Sequence, residues 1–275
     1  MDKQKEVLDL AVRVGEVLLQ NGGEIFRVQE TMRRIAEAYG VGELHVYVLA
    51  NGLFASVDDT EGTGAQYVRH LETGEEIGQS AGGSQVRYIP LSATHLGRVA
   101  AVNDLSRQIA AHKYTIEEAW KRIEEISVMP FINEKIQILM SGLGAATICI
   151  IMGGSFWDSV ASLISGILLW CFILYHSRKK SNKIMVNILG SALVTLNGII
   201  MFRFFFGDNM DKIIIGSIAP MLPGSPFTNS IRDFLNGDYL SGTIRMIDAI
   251  LVGCCIALGV GLVLRIVTIV FGITL

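Results

Sequence analysis

Metal sites and disulfide frameworks need paired spacings, and this sequence lacks them. Its four cysteines, Cys149, Cys171, Cys254 and Cys255, all lie in apolar runs and read as small buried hydrophobes. Its five histidines, at positions 45, 70, 95, 112 and 176, form no HxxxH or HxH pair. Neither a metal nor any other cofactor is expected. The glycine-rich Gly78–Ser84 is not followed by the Lys-Ser/Thr that a phosphate loop requires, so it reads as a plain loop. A signal peptide is also missing, because residues 1–24 carry charge where an apolar core would be needed. The N-terminal part is expected to stay on the side where it is made, and no nucleic-acid partner is expected.

The residues that are present divide the chain in two. Residues 1–130 hold 13 Lys/Arg against 19 Asp/Glu, whereas residues 131–275 hold 10 against 7 and carry the long apolar runs. With a mean hydropathy of +0.45 over 275 residues, the chain reads as a soluble acidic domain, 1–130, followed by a membrane helical domain, 131–275.

In the first part, Val7, Ala11, Val14 and Leu18 recur at helical spacing, which predicts an amphipathic helix over Lys3–Gln20. Asn21-Gly22-Gly23 ends it, and Ile25, Val28, Met32 and Ile35 line a second helix over Glu24–Tyr39. Alternation then predicts a strand over Leu44–Val48, a hairpin at Asn51-Gly52 and a return over Leu53–Val57. Ala65–Glu72 and Gln85–Ile89 read as further strands, and Thr94–His112 and Thr115–Ser127 as helices, the latter with a capping box from Thr115 to Glu118. The expected result is an α+β layer domain. Asp58, Asp59 and Glu61 read as a polar hairpin tip, and Glu24 with Arg27 as a solvated pair at a helix start.

The second part shows apolar runs at about 136–152, 160–175, 184–206, 212–222 and 246–275, hence a bundle of about five membrane segments. Basic residues crowd the loop His176–Lys183, which places it and the N-terminal domain in the cytoplasm. The fourth run is too short to span by itself. It must be a half-helix, a re-entrant piece or a crossing completed by the residues after it. Pro220, Pro223 and Pro226, with Gly224, break it. Phe227–Leu235 reads as a second half-helix, ended by Asn236-Gly237-Asp238.

Charges flanked by apolar sequence are costly and mark pathways or paired structural sites. Arg232 and Asp233 are the foremost candidates, followed by Asp238 and by Asp248, which can instead pair with Arg245. Asn197 and Thr195 are candidates for cross-helix hydrogen bonds.

The stretch PGSPFTNSIRDFLNGDYLSGTIRMIDAILVGCCIALGVG closely resembles the hallmark segment of the threonine/serine exporter family, and LLQNGGEIFRVQETMRRIAEAYGV resembles the start of that family's cytoplasmic domain. The resemblance implies proton-driven export of small amino acids or small dicarboxylates at the plasma membrane. It carries the hallmark polar positions to Asn229, Arg232, Asp233, Asp238 and Arg245, and the early motif to Glu24 and Arg27. Fused members carry about ten membrane segments, and an odd count of crossings in this chain would present the two halves in opposite orientations, as inverted-repeat transporters require. This chain resembles the larger, N-terminal half of a split exporter, so a separate small membrane protein and an oligomeric assembly in lipid are expected.

On that reading Arg232 meets a substrate carboxylate, Thr228, Asn229 and Asn197 bond its other polar atoms, and Asp233, Asp238 or Asp248 couples protons. The rivals are a membrane-anchored enzyme, for which no nucleophile–base constellation is found, and a scaffold or sensor whose cytoplasmic domain is the active part.

Overall fold

The computed structural model describes residues 3–57, 84–90, 94–179, 181–205 and 207–271. The expected strand Ala65–Glu72, the Gly78–Ser84 loop up to residue 83, and Asp58, Asp59 and Glu61 lie outside them. The chain forms two compact units: Met1–Pro130 with Thr228–Arg245, and Phe131–Phe227 with Met246–Leu275.

In the first unit, helix α1 (Lys3–Gln20) packs on α2 (Ile25–Ala38), on strand β2 and on two later helices. Its expected apolar stripe is buried, but so are Leu8, Leu10, Val12, Val17 and Leu19. Neighbours on several sides make α1 a central helix rather than an amphipathic surface one. Strands β1 (Leu44–Leu49), β2 (Gly52–Val57) and β3 (Ser84–Tyr88) form an antiparallel sheet in that order. Leu49 pairs with Gly52, so the two-residue loop is Ala50-Asn51, one position earlier than expected. Leu44, Val46, Val48, Leu53, Ala55 and Val57 turn one face of the sheet into the core shared with α1 and α2. Helices α3 (Leu96–Ala110) and α4 (Ile116–Ser127) close the unit. The capping box is formed: Glu118 N–H donates to Thr115 Oγ1 at 3.3 Å, and Thr115 N–H to Glu118 Oε2 at 2.8 Å.

The second unit contains α5 (Glu134–Ile151), α6 (Phe156–Arg178), α7 (Lys183–Ile200) with a π-turn at Met201–Phe205, and the short α8 (Met210–Ile218) with a 3₁₀ turn at Ala219–Met221. Small residues allow these helices to approach closely. A Cβ on Gly166 would stand 2.7 Å from Ala145 Cβ and 2.9 Å from the Ser141 carbonyl.

Helix α9 (Gly224–Leu235) and the 33-residue α10 (Tyr239–Phe271) complete the chain. Among the described residues four helices, not about five, are long and apolar enough to cross a membrane: Glu134–Ile151, Phe156–Arg178, Lys183–Phe204 and Tyr239–Val270. The fourth run fails because α8 has nine residues, about 14 Å of helix against a hydrocarbon core of about 30 Å. The break falls at Leu222, whose extended backbone (φ −63°, ψ 133°) is what the following Pro223 favours. Pro220 sits in the 3₁₀ turn, while Gly224 and Pro226 fall in the first turn of α9, where a missing N–H costs nothing.

Candidate functional site

The α1–α2 turn is a rigid fixture. Gly22 adopts φ +89°, and Gly23 N–H returns to the Leu18 carbonyl at 2.9 Å, so a Cβ on Gly23 would meet that oxygen at 2.7 Å. Asn21 is buried, donating from Nδ2 to the Val17 carbonyl at 2.6 Å and accepting from Arg98 Nη1 at 3.3 Å. Glu24 follows at the N-cap of α2 with its side chain free of capping duty. Its carboxylate instead takes Arg27 Nε at 3.4 Å and Nη1 of Arg232.

Arg232 comes from the α9–α10 hairpin, whose geometry is equally local in origin. Gly237 at φ +85° ends α9, and Asp238 N–H closes on the Asp233 carbonyl at 2.9 Å. The Phe234 ring lies over Gly242, where a Cβ would be 2.8 Å from Cδ1. Asp233, the neighbour of Arg232 on α9, is buried together with Arg245, whose Nε lies 3.5 Å from Asp233 Oδ2. Arg245 Nη2 also donates to the Gly23 carbonyl at 3.3 Å. Among the described residues, Asp233 Oδ2 finds no hydrogen-bond partner. Burial pushes this carboxyl above its ordinary value, Arg245 opposes the rise, and Asp238 and Glu24 add to it.

Three guanidinium groups and two carboxylates therefore meet in the first unit: Arg27, Arg232, Arg245, Glu24 and Asp233. The two stretches singled out in the sequence come together through them. Thr228 is exposed and Asn229 half-buried on the same helix, and Asp238 is half-buried in the turn. Asn197 and Asp248 are not part of this cluster. They belong to the second unit, where Asn197 Nδ2 donates to Ser165 Oγ at 2.5 Å and Lys183 Nζ lies 2.9 Å from both Asp248 oxygens.

One residue the sequence reading passed over is Asp158, fully buried in the second unit. It accepts from the Ser155, Asp208 and Asn209 N–H groups at 2.9, 2.6 and 3.0 Å, and from Asn209 Nδ2 at 2.9 Å. The Ser155-x-x-Asp158 spacing was its available signal, since it is a capping box.

Four long apolar helices joined to a unit with a small sheet define a polytopic helical membrane protein. The chain belongs to the family described as "Putative threonine/serine exporter", whose pattern matches residues 9–267. That family is one of transporters, which removes the enzyme reading. The chain is 21% identical over 263 residues to the threonine/serine exporter of Corynebacterium glutamicum, covering 93% of this chain and 50% of that protein. It is likewise 21% identical to the "Probable threonine/serine exporter" of Mycobacterium tuberculosis, covering 96% of this chain and 47% of that protein. To the "Probable succinate transporter subunit YjjP" of Escherichia coli it is 22% identical, over 96% of each chain. The chain thus spans about half the length of the first two relatives and nearly all of the third. No solved structure matches it.

Proposed function

We infer that this chain is a subunit of a proton-coupled exporter of small amino acids, such as threonine and serine, or of small dicarboxylates, and that Arg232 and its neighbours form the substrate and proton site. The observation that carries this reading is the placement of a carboxylate–guanidinium pair, Glu24 with Arg232, beside a buried carboxyl, Asp233, whose Oδ2 has no hydrogen-bond partner among the described residues. A substrate carboxylate presents the same two oxygens as Glu24 and can replace it on Arg232. Thr228 and Asn229, four and three residues earlier on α9, are within helical reach to bond the rest of the solute.

Asp233 is the coupling carboxylate, in preference to Asp238 and to Asp248, which Lys183 already neutralises. Protonating Asp233 deprives Arg245 of its counter-charge and loosens its hold on Gly23, the turn that positions Glu24. Proton entry and substrate release at Arg232 are linked through that turn. The basic loop around His176–Lys183 supports a cytoplasmic first unit. The doubled length of two relatives, and the word "subunit" in the name of a third, support a separate membrane protein that completes the exporter.

The test is transport in vesicles that hold the full chain with its membrane partner. Threonine, serine or succinate should move only when a proton gradient is imposed, and Arg232→Ala and Asp233→Asn should each abolish it. Gradient-driven movement that survives both substitutions would remove the site. A chain that assembles yet never moves solute would be a scaffold.

A further inference from the structure

Between α4 and α5 the chain runs Val128-Met129-Pro130-Phe131-Ile132, five apolar residues that lie outside both helices. Val128 is 75% exposed, Ile132 66% and Phe131 52%, and Leu96 at the start of α3 is 73% exposed. Single exposed apolar residues need no explanation, but a contiguous set does. The backbone carbonyls of this run are also unusually well served by side chains. Met129 accepts from Arg98 Nε at 3.0 Å and Nη2 at 2.6 Å. Pro130, which has no N–H to satisfy, accepts from His95 Nε2 at 3.2 Å. The His95 Nδ1 in turn accepts from the Arg98 N–H, which puts the ring proton on Nε2. Ile132 accepts from Gln137 Nε2 at 2.6 Å.

Non-helical backbone is tolerated beside hydrocarbon only when its polar groups find partners. Here three side chains supply them, while the side chains of Val128, Phe131 and Ile132 are exposed. Position supports the same conclusion. The six steps from Val128 to Glu134 span at most about 20 Å, and α5 turns apolar at Ile136, so the run lies next to the place where a membrane helix begins. Leu96 is tied to the run because His95 and Arg98, on either side of it, grip Met129 and Pro130. Lys135 adds a cation suited to anionic headgroups.

We propose that Leu96 and Val128–Pro130, all in the first unit, form a lipid seat inserted in the headgroup layer, within chain reach of the start of α5. The occupant is lipid because the run is covalently continuous with a membrane helix and its carbonyls are already capped. The seat is independent of what the protein transports.

The test uses the full chain in vesicles of phosphatidylcholine and phosphatidylglycerol. Cys171 and Cys254, the exposed thiols, are replaced by serine, and a single Val128→Cys or Leu96→Cys site carries an environment-sensitive nitrobenzoxadiazole label. Glu117→Cys, at the far end of α4, is the comparison. Both seat labels should show blue-shifted emission that lipids bearing a nitroxide near the headgroup quench more than lipids bearing one near the chain end. The Glu117 label should show neither effect. Water-like emission at both seat sites would overturn the seat, and so would blue-shifted emission that no nitroxide lipid quenches, which would mean that protein covers it. Reading two sites separately keeps the result decisive if one variant misfolds.

Discussion

Arg245 Nε stands 3.5 Å from Asp233 Oδ2, both side chains are buried, and the same guanidinium donates to the Gly23 carbonyl of the α1–α2 turn. One arginine thus joins the hairpin that ends in a membrane helix to the turn that carries Glu24. Removing one partner of a buried pair leaves the other charge uncompensated, at a cost of about 3–5 kcal/mol. Arg245→Ala should therefore destabilise the protein far more than the double variant Arg245→Ala/Asp233→Asn. A double-mutant cycle of thermal unfolding in detergent measures the difference, and additive effects would show that the two groups do not interact.

The direction of the Asp233 shift sets a pH dependence. A carboxyl raised in the folded state binds its proton more tightly there than in the unfolded chain. Its contribution favours folding at low pH and is lost as pH rises from the unfolded carboxylate value through the raised folded one. Asp233→Asn removes that slope, so the variant should gain stability relative to the parent as pH rises through this window. Unfolding midpoints across the acidic to neutral range provide the check.

Glu24 and Arg232 give the opposite pattern. Arg232 is about half exposed, and pairs of that kind contribute only about 0–1 kcal/mol. Glu24→Gln and Arg232→Ala should leave the melting temperature nearly unchanged while altering transport. Arg232→Lys should recover little, because an ammonium cannot present the planar fork. Parallel melting and vesicle-uptake measurements separate the two effects.

Asp158 should behave as a structural anchor. Its four donors come from the α5–α6 turn and from residues 208–209. Asp158→Ala removes the shared acceptor of these part-buried donors, and hydrogen bonds to a charged group contribute about 1.5–3 kcal/mol. A large fall in thermal stability is expected, with proteolytic cleavage appearing near residues 207–209. A variant as stable as the parent would contradict the anchor role.

The α1–α2 turn offers a purely steric prediction. Gly23→Ala would put a Cβ 2.7 Å from the Leu18 carbonyl, so backbone must shift at a cost of about 1–3 kcal/mol. Because Arg245 bonds the Gly23 carbonyl, transport should fall together with stability.

Sequence alone determined what short-range rules control. Helical spacing, the Thr115 cap and the glycines at 22 and 237 placed the elements within a few residues, because each depends on backbone conformation over a turn or two. The proline break at Leu222-Pro223 was legible for the same reason, and so was membership in a transporter family, carried by two motifs. The partners of the hallmark charges were not legible. Apolar runs on both sides suggested that hydrocarbon surrounds residues 221–245, of which Thr228–Arg245 group with the first unit. The length of α10, about 50 Å as a helix, leaves room for its first turns to stand beyond a lipid core of about 30 Å. Glu24 meets Arg232 across 208 positions of chain. Only the tertiary structure decides such a contact, because it depends on how whole elements pack and no local periodicity encodes it.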